Sequence, residues 1–143
     1  MGNIKLYKPH PKQREIHEAL ETDIKYCIVS IGRQFGKTLF AENQAVKWGL
    51  ENKNWKIGWI SPTYKQAKKV FKEITKALAD CIYVIGVNRG DLVIEFNNGS
   101  IIQFYSAEAY DSIRGETFDA LICDEFAFFK PEAWNEVLKA TVL

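Results

Sequence analysis

Apolar positions along this chain change period several times, and each change marks an element. After a loose lead-in over residues 1–9, Pro11 suits the first turn of a helix, where its missing N–H is not needed. Ile16, Ala19 and Leu20 then give that helix one apolar face. Tyr26 to Ser30 is an unbroken β-type run and predicts a core strand. From Lys37 to about Leu50, the residues Phe40, Ala41, Ala45 and Trp48 return at helical spacing. Asn52-Lys53-Asn54 is a turn, and Lys56 to Ile60 is a second short strand closed by Ser61-Pro62. A second amphipathic helix starts near Thr63, with Ala67, Val70, Phe71, Ile74 and Leu78 on one face and Lys65, Lys69, Lys72 and Lys76 on the other. Ile82 to Ile85, Leu92 to Phe96 and Ile101 to Tyr105 read as strands. The last two are joined by Asn97-Asn98-Gly99-Ser100, a strong hairpin signal. Ser106 to Thr117 reads as a polar loop. The apolar strand Phe118 to Cys123 then ends in Asp124-Glu125, and Pro131 opens a last helix. Strands alternating with helices predict an α/β fold with a mainly parallel sheet and an inserted β-hairpin.

Composition narrows the class. At 143 residues the chain is one domain or a piece of one, long enough to bury a real core. Its 47% hydrophobic and 26% charged residues are the balance of a soluble globular protein. A net charge of +1 gives no global basic field, so contact with nucleic acid has to come from a local patch. The lysine face of the second helix is the candidate. Alone it reads as a solvated surface, and the sharper reading is a stripe of phosphate-backbone contacts. Cys27, Cys81 and Cys123 stand singly in apolar surroundings, without CxxC or Cys/His metal spacing, and read as reduced core residues of an intracellular protein. The N-terminus does not read as a signal peptide and no apolar run approaches about 18 residues, so no membrane role is expected.

The chemistry begins where the first strand ends. Ile28-Val29-Ser30-Ile31 leads into Gly32-Arg33-Gln34-Phe35-Gly36-Lys37-Thr38, a glycine-rich turn that opens a helix. Gly32 and Gly36 allow backbone angles that other residues resist, so successive N–H groups can curl around a phosphate. The helix N-terminus adds unpaired N–H groups and the positive end of its dipole. Lys37 is placed to reach the β- and γ-phosphates of ATP, and the Thr38 hydroxyl to sit on Mg²⁺. The usual pattern, G-x-x-x-x-G-K-[ST], wants glycine at position 31. This chain has Ile31 there and its first glycine one place later. Gly-Lys-Thr by itself also fits an ordinary strand–turn–helix connection. Gln13, in the first turn of the first helix, carries an amide that both donates and accepts and so can read the edge of adenine. His10 and His17 have no partner pattern and read as structural or surface residues.

Asp124 and Glu125 are the partners that such a loop needs. A buried strand delivers carboxylates at its C-terminal end, where ligands of open α/β sheets bind. Asp124 is placed to hold Mg²⁺, directly or through water. Glu125 points differently and can orient and deprotonate the attacking water. Hydrolysis also needs positive charge on the γ-phosphate. Arg33 inside the loop could supply it in cis, and Arg114 in cis or in trans. Each of these arginines also reads as an ordinary surface residue.

Four blocks in this order resemble the ATPase domain of a terminase large subunit, the DNA-packaging motor of tailed bacteriophages. Gly32 to Thr38 resembles that family's variant Walker A, with a displaced first glycine and an arginine inside the loop. Ser61-Pro62-Thr63-Tyr64-Lys65-Gln66-Ala67 resembles its segment after the second strand, and Phe96 to Ser100 its hairpin. Ser112-Ile113-Arg114-Gly115 followed by Leu121 to Phe128 resembles its Arg-Gly and Walker B block. The resemblance implies a three-layer α/β/α P-loop NTPase fold that hydrolyses ATP to ADP and phosphate with Mg²⁺. Gln13 then matches the adenine motif, and Arg114 an arginine inserted into a neighbour's site. It further implies double-stranded DNA, a portal protein and a small terminase subunit as partners. A homo-oligomeric ring is implied on assembly, working in the bacterial host cytoplasm on the viral procapsid. A helicase or translocase domain, or an inactive nucleotide-binding piece, are the alternatives.

By the same resemblance, residues 1–143 are the N-terminal part of the ATPase domain, without the family's coupling motif and nuclease domain. ATPases with a catalytic Glu after the Walker B Asp usually place another strand between the P-loop strand and the Walker B strand. Here that strand is expected beyond Leu143. Three outcomes follow: the two strands pair directly, another chain fills the slot, or the domain is poorly stable. In each, the geometry from Lys37 to Asp124 is disturbed and turnover is very low.

Overall fold

The structure of the protein is a computed structural model that describes residues 26–27 and 37–142. Its centre is β2 (Lys56–Ser61), whose residues from Ile57 to Ser61 are all buried. A run with no exposed side signals a parallel strand covered on both faces. β2 pairs in parallel with β6 (Ala120–Cys123) on one side and with β5 (Ile101–Ser106) on the other. β5 continues antiparallel into β4 (Val93–Phe96) and then β3 (Val84–Asn88), so the order is β1-β6-β2-β5-β4-β3. β1 (Tyr26–Cys27) pairs directly with β6, Tyr26 opposite Leu121 and Cys27 opposite Ile122. Direct pairing was the first of the three expected arrangements.

Helical segments cover both faces, as a three-layer fold requires. α1 (Lys37–Glu51) and α2 (Tyr64–Ala77) bury Phe40, Val46, Trp48, Val70, Phe71 and Ile74 against Ile57, Trp59, Ile102, Phe104 and Ile122. On the other face Ile60 and Leu121 pack with Ile113, Phe118, Val137 and Leu138. The last two lie in a C-terminal helix wound as a π-turn over Ala133–Leu138 and continuing through Lys139–Thr141.

The β4–β5 hairpin forms at the expected Asn97 to Ser100. Gly99 takes φ +85°, the left-handed turn position that glycine tolerates, and its N–H bonds the Phe96 carbonyl at 3.1 Å. The turn also caps a helix. Asn98 Nδ2 donates to the Gly49 carbonyl at 2.9 Å, and Ser100 Oγ donates to the same oxygen. Unpaired carbonyls at the end of α1 are thereby satisfied, and the helix axis is pinned to the sheet.

Two expectations need correction. The strand read at Ile82 to Ile85 starts two residues later, as Val84–Asn88; Ile82 falls in the turn before it, 64% exposed, and Ile85 is 62% exposed because β3 is the sheet edge. It turns into β4 through Asn88, whose side-chain oxygen accepts the N–H groups of Gly90 and Asp91. The polar loop read over Ser106 to Thr117 contains a 3₁₀ segment, Ala107–Ile113, because Ala107 and Ile113 anchor it in the core. Cys81 and Cys123 are free thiols, and burial pushes the Cys123 thiol up to about 12, so it is not a reactive nucleophile. No helix among the described residues is long and apolar enough to cross a membrane.

Candidate active site

Because β1, β6, β2 and β5 run parallel, their C-terminal ends share one edge of the sheet. α1 starts near that edge at Lys37, with Thr38 in its first turn. Gln13, Gly32, Arg33, Gln34, Phe35 and Gly36 lie outside the described residues, as do the first predicted helix and most of the first strand.

At the end of β6 the ladder extends one residue further, with Asp124 N–H donating to the Ile60 carbonyl at 2.8 Å. The next residue breaks it. Glu125 takes φ 51° and ψ 47°, a left-handed backbone that a side chain other than glycine's adopts at a cost of about 1–2 kcal/mol. Such strain clusters at functional sites. The break is stabilised from both sides. The Phe128 N–H bonds the Glu125 carbonyl at 3.0 Å, and the Phe126 ring packs on Phe129 and Trp134.

The Glu125 carboxylate is held by the start of α2. Thr63, the N-cap, accepts the Gln66 N–H at 3.2 Å, and its hydroxyl bonds Gln66 Oε1 at 3.0 Å. This fixes the Gln66 amide, which donates through Nε2 to Glu125 Oε2 at 2.9 Å. Gln66 belongs to the Ser61 to Ala67 block, but its contact with Glu125 spans 59 residues and is not readable from spacing.

Glu42 is the second residue that the sequence reading missed. It sits in α1, one helical turn after Thr38. Burial, a hydrogen bond with Glu73, and the charges of Glu73 and Asp124 push its carboxyl up to about 9, against a smaller pull from Lys69. Glu42 is therefore protonated at neutral pH, and its Oε1 is buried without a hydrogen-bond partner among the described residues. The available signal was an acidic residue between the inward Ala41 and Ala45.

A folded-state carboxyl above its ordinary 4.5 stabilises the fold in its protonated form. The native state then holds a proton that the unfolded chain has lost, so stability falls as pH rises from about 4.5 to about 9. Glu42→Gln removes this dependence. With solvent screening of a partly buried group, the expected gain at pH 8 over pH 5 is on the order of 1 kcal/mol, or roughly 3–5 °C. Thermal unfolding of both proteins at both pH values reads it, and parallel pH profiles would refute it.

The structure does not gather Arg114 with Asp124 and Glu125. Arg114 ends the Ala107–Ile113 segment with its side chain 56% exposed and paired to Asp111 at 2.9 Å, with Glu136 and Tyr110 as its other charge neighbours. An exposed pair of this kind holds a side chain weakly.

The carboxylates of Asp124 and Glu125 are hard oxygen donors of the kind that Mg²⁺ takes, usually one or two of them together with phosphates and water. Among the described residues no group of three or more His, Cys, Asp or Glu could hold a metal by itself.

An open, mainly parallel α/β sheet covered by helical segments on both faces, with an Asp-Glu pair at its C-terminal edge, is the class of fold that the structure defines. The chain belongs to the family described as terminase large subunit, T4likevirus-type, N-terminal, whose model matches residues 28–143. It is 29% identical over 156 aligned residues to the terminase large subunit of Thermus virus P23-45, covering 95% of this chain and 31% of that protein. The corresponding protein of Thermus phage G20c is 28% identical with the same coverage. The solved large terminase ATPase domain of Thermus phage P74-26 superposes with a TM-score of 0.76 at 27% identity, over 94% of this chain and 60% of that one. The chain thus spans about a third of the length of the curated relatives it matches.

Proposed function

We propose that this chain is an ATP-hydrolysing domain of a motor that moves double-stranded DNA into a capsid. The observation that carries the proposal is Glu125, turned out of the β6 ladder into a left-handed backbone and gripped by Gln66. A carboxylate fixed in position in this way supports the reading that it orients and deprotonates a water. Gln13 reads the adenine edge, the Gly32 to Gly36 backbone with Arg33, Gln34 and Phe35 wraps the phosphates, and Lys37 reaches the β- and γ-phosphates. Thr38 and Asp124 hold Mg²⁺, which neutralises charge on the phosphates. Glu125 orients the attacking water and takes its proton. The portal protein, the small terminase subunit and a ring of copies are the partners that this role brings, in the host cytoplasm.

The exposure of Arg114 and its local partner favour a role in trans, across a subunit boundary. Lys37→Ala should weaken ATP binding by about 10- to 100-fold through loss of a charged hydrogen bond. Mixing Lys37→Ala with Arg114→Ala protein should then partly restore hydrolysis, because one subunit lends the arginine and the other the intact loop. No restoration at any ratio, with assembly confirmed by light scattering, removes the trans role. A folded wild-type chain that neither binds nor hydrolyses Mg²⁺-ATP removes the whole proposal.

A further inference from the structure

The exposed face of α2 is the feature that the hydrolytic site leaves unused. Lys65, Lys69, Lys72 and Lys76 stand at i, i+4, i+7 and i+11, a single line along the helix, and all four are exposed. Lys68, also exposed, flanks the line. The opposite face is buried through Ala67, Val70, Phe71 and Ile74, so α2 cannot rotate to hide its lysines.

Among the described residues none of these five lysines takes part in an ion pair. The one acidic side chain of α2, Glu73, hydrogen-bonds Glu42 instead. Three lysine pairs at i,i+4 and two at i,i+3 therefore repel one another, which destabilises a helix. Glu73, at i+4 from Lys69 and i−3 from Lys76, offsets only part of that repulsion, and an overall charge of +1 means that the line is not part of a uniformly basic surface.

We infer that the lysine line of α2 is a contact surface for the phosphate backbone of duplex DNA, read without regard to sequence. Eleven residues of helix span roughly 16 Å at 1.5 Å per residue. A duplex presents a phosphate about every 1.7 Å of axis over its two strands, so a line of this length lies within reach of several of them where the strands pass it. Lysine is a point charge with freely rotating donors, suited to phosphate rather than to base edges. The choice of duplex DNA over another polyanion rests on the proposed motor function.

The test is binding of the whole chain to a short random-sequence duplex without nucleotide, titrated with salt. Four phosphate contacts give a log–log slope of about −3.6, a loss on the order of 100-fold between 50 and 200 mM salt. Replacing Lys65, Lys69 and Lys72 by Gln should flatten the slope by about 2.7, and replacing them by Arg should restore it. Lys130→Gln with Lys139→Gln, exposed lysines elsewhere, should leave it nearly unchanged. Circular dichroism of each variant confirms that α2 is folded. An unchanged slope in the triple Gln variant overturns the inference, as does an equal loss in the Lys130 and Lys139 control. Competition by polyglutamate as effective as by duplex also overturns it, in favour of an acidic protein partner. Tripolyphosphate competing as well as duplex at equal phosphate overturns it in favour of a free-phosphate site. Because no ATP is present, the slope reads the surface independently of hydrolysis. Failure of the ATPase assay alone sinks the motor reading and leaves the slope standing.

Discussion

Glu125→Gln leaves ATP bound and unhydrolysed. The substitution keeps the length and most of the hydrogen bonding of the side chain, so Gln66 still has an oxygen to hold, but it removes the base. Loss of a general base typically lowers the rate by about 10²–10⁴-fold. Single-turnover hydrolysis with protein in excess measures this even where steady-state turnover is slow, and equilibrium binding of ATP separates it from a binding defect. Gln66→Ala offers a graded comparison. It releases the carboxylate held at 2.9 Å without removing it, so the rate should fall less than in Glu125→Gln, and ATP affinity should stay close to wild type. A Glu125→Gln protein that hydrolyses ATP at the wild-type rate would show that the left-handed turn after β6 serves the fold alone.

Trp59→Ala has the largest expected effect on stability. Trp59 is fully buried in the central strand, its ring tilted against that of Phe104 at 6.0 Å, which in turn meets Phe71 of α2 edge-on at 5.5 Å. Its indole N–H donates to Ser61 Oγ at 3.0 Å, one of few polar contacts in this core. Truncating a buried tryptophan removes the transfer energy of the ring and leaves a cavity, about 3–5 kcal/mol together. That is a large share of the 5–15 kcal/mol or so by which domains are stable. Trp59→Phe keeps most of the ring but leaves Ser61 Oγ without this donor, and should fall between. Urea unfolding followed by circular dichroism reads all three proteins. A loss below about 1 kcal/mol for Trp59→Ala would mean that β2 is not the sheet's centre.

Local physics made much of this protein legible in its sequence. The apolar Ile57 to Ile60 run of β2, the helical return of Val70, Phe71 and Ile74, and the Asn97 to Ser100 turn depend on neighbours a few residues away, and each appears where the pattern places it. Thr63 caps α2 for the same local reason. The Asp124-Glu125 pair stands at a strand's end because an apolar run stops there.

Other features needed the tertiary structure because their causes lie far apart in the chain. Whether Ile85 faces the core or solvent depends on β3 being the last strand of the sheet, which no local period encodes. The elevation of Glu42 arises where α1, α2 and the end of β6 converge, and the grip of Gln66 on Glu125 joins residues 59 positions apart. The left-handed turn at Glu125 is unfavourable for that residue taken alone. The sequence by itself determined which residues stand at the ends of strands and the starts of helices. Only the packing of α2 against the sheet decided which of them meet, because desolvation and hydrogen-bond geometry are properties of neighbours in space.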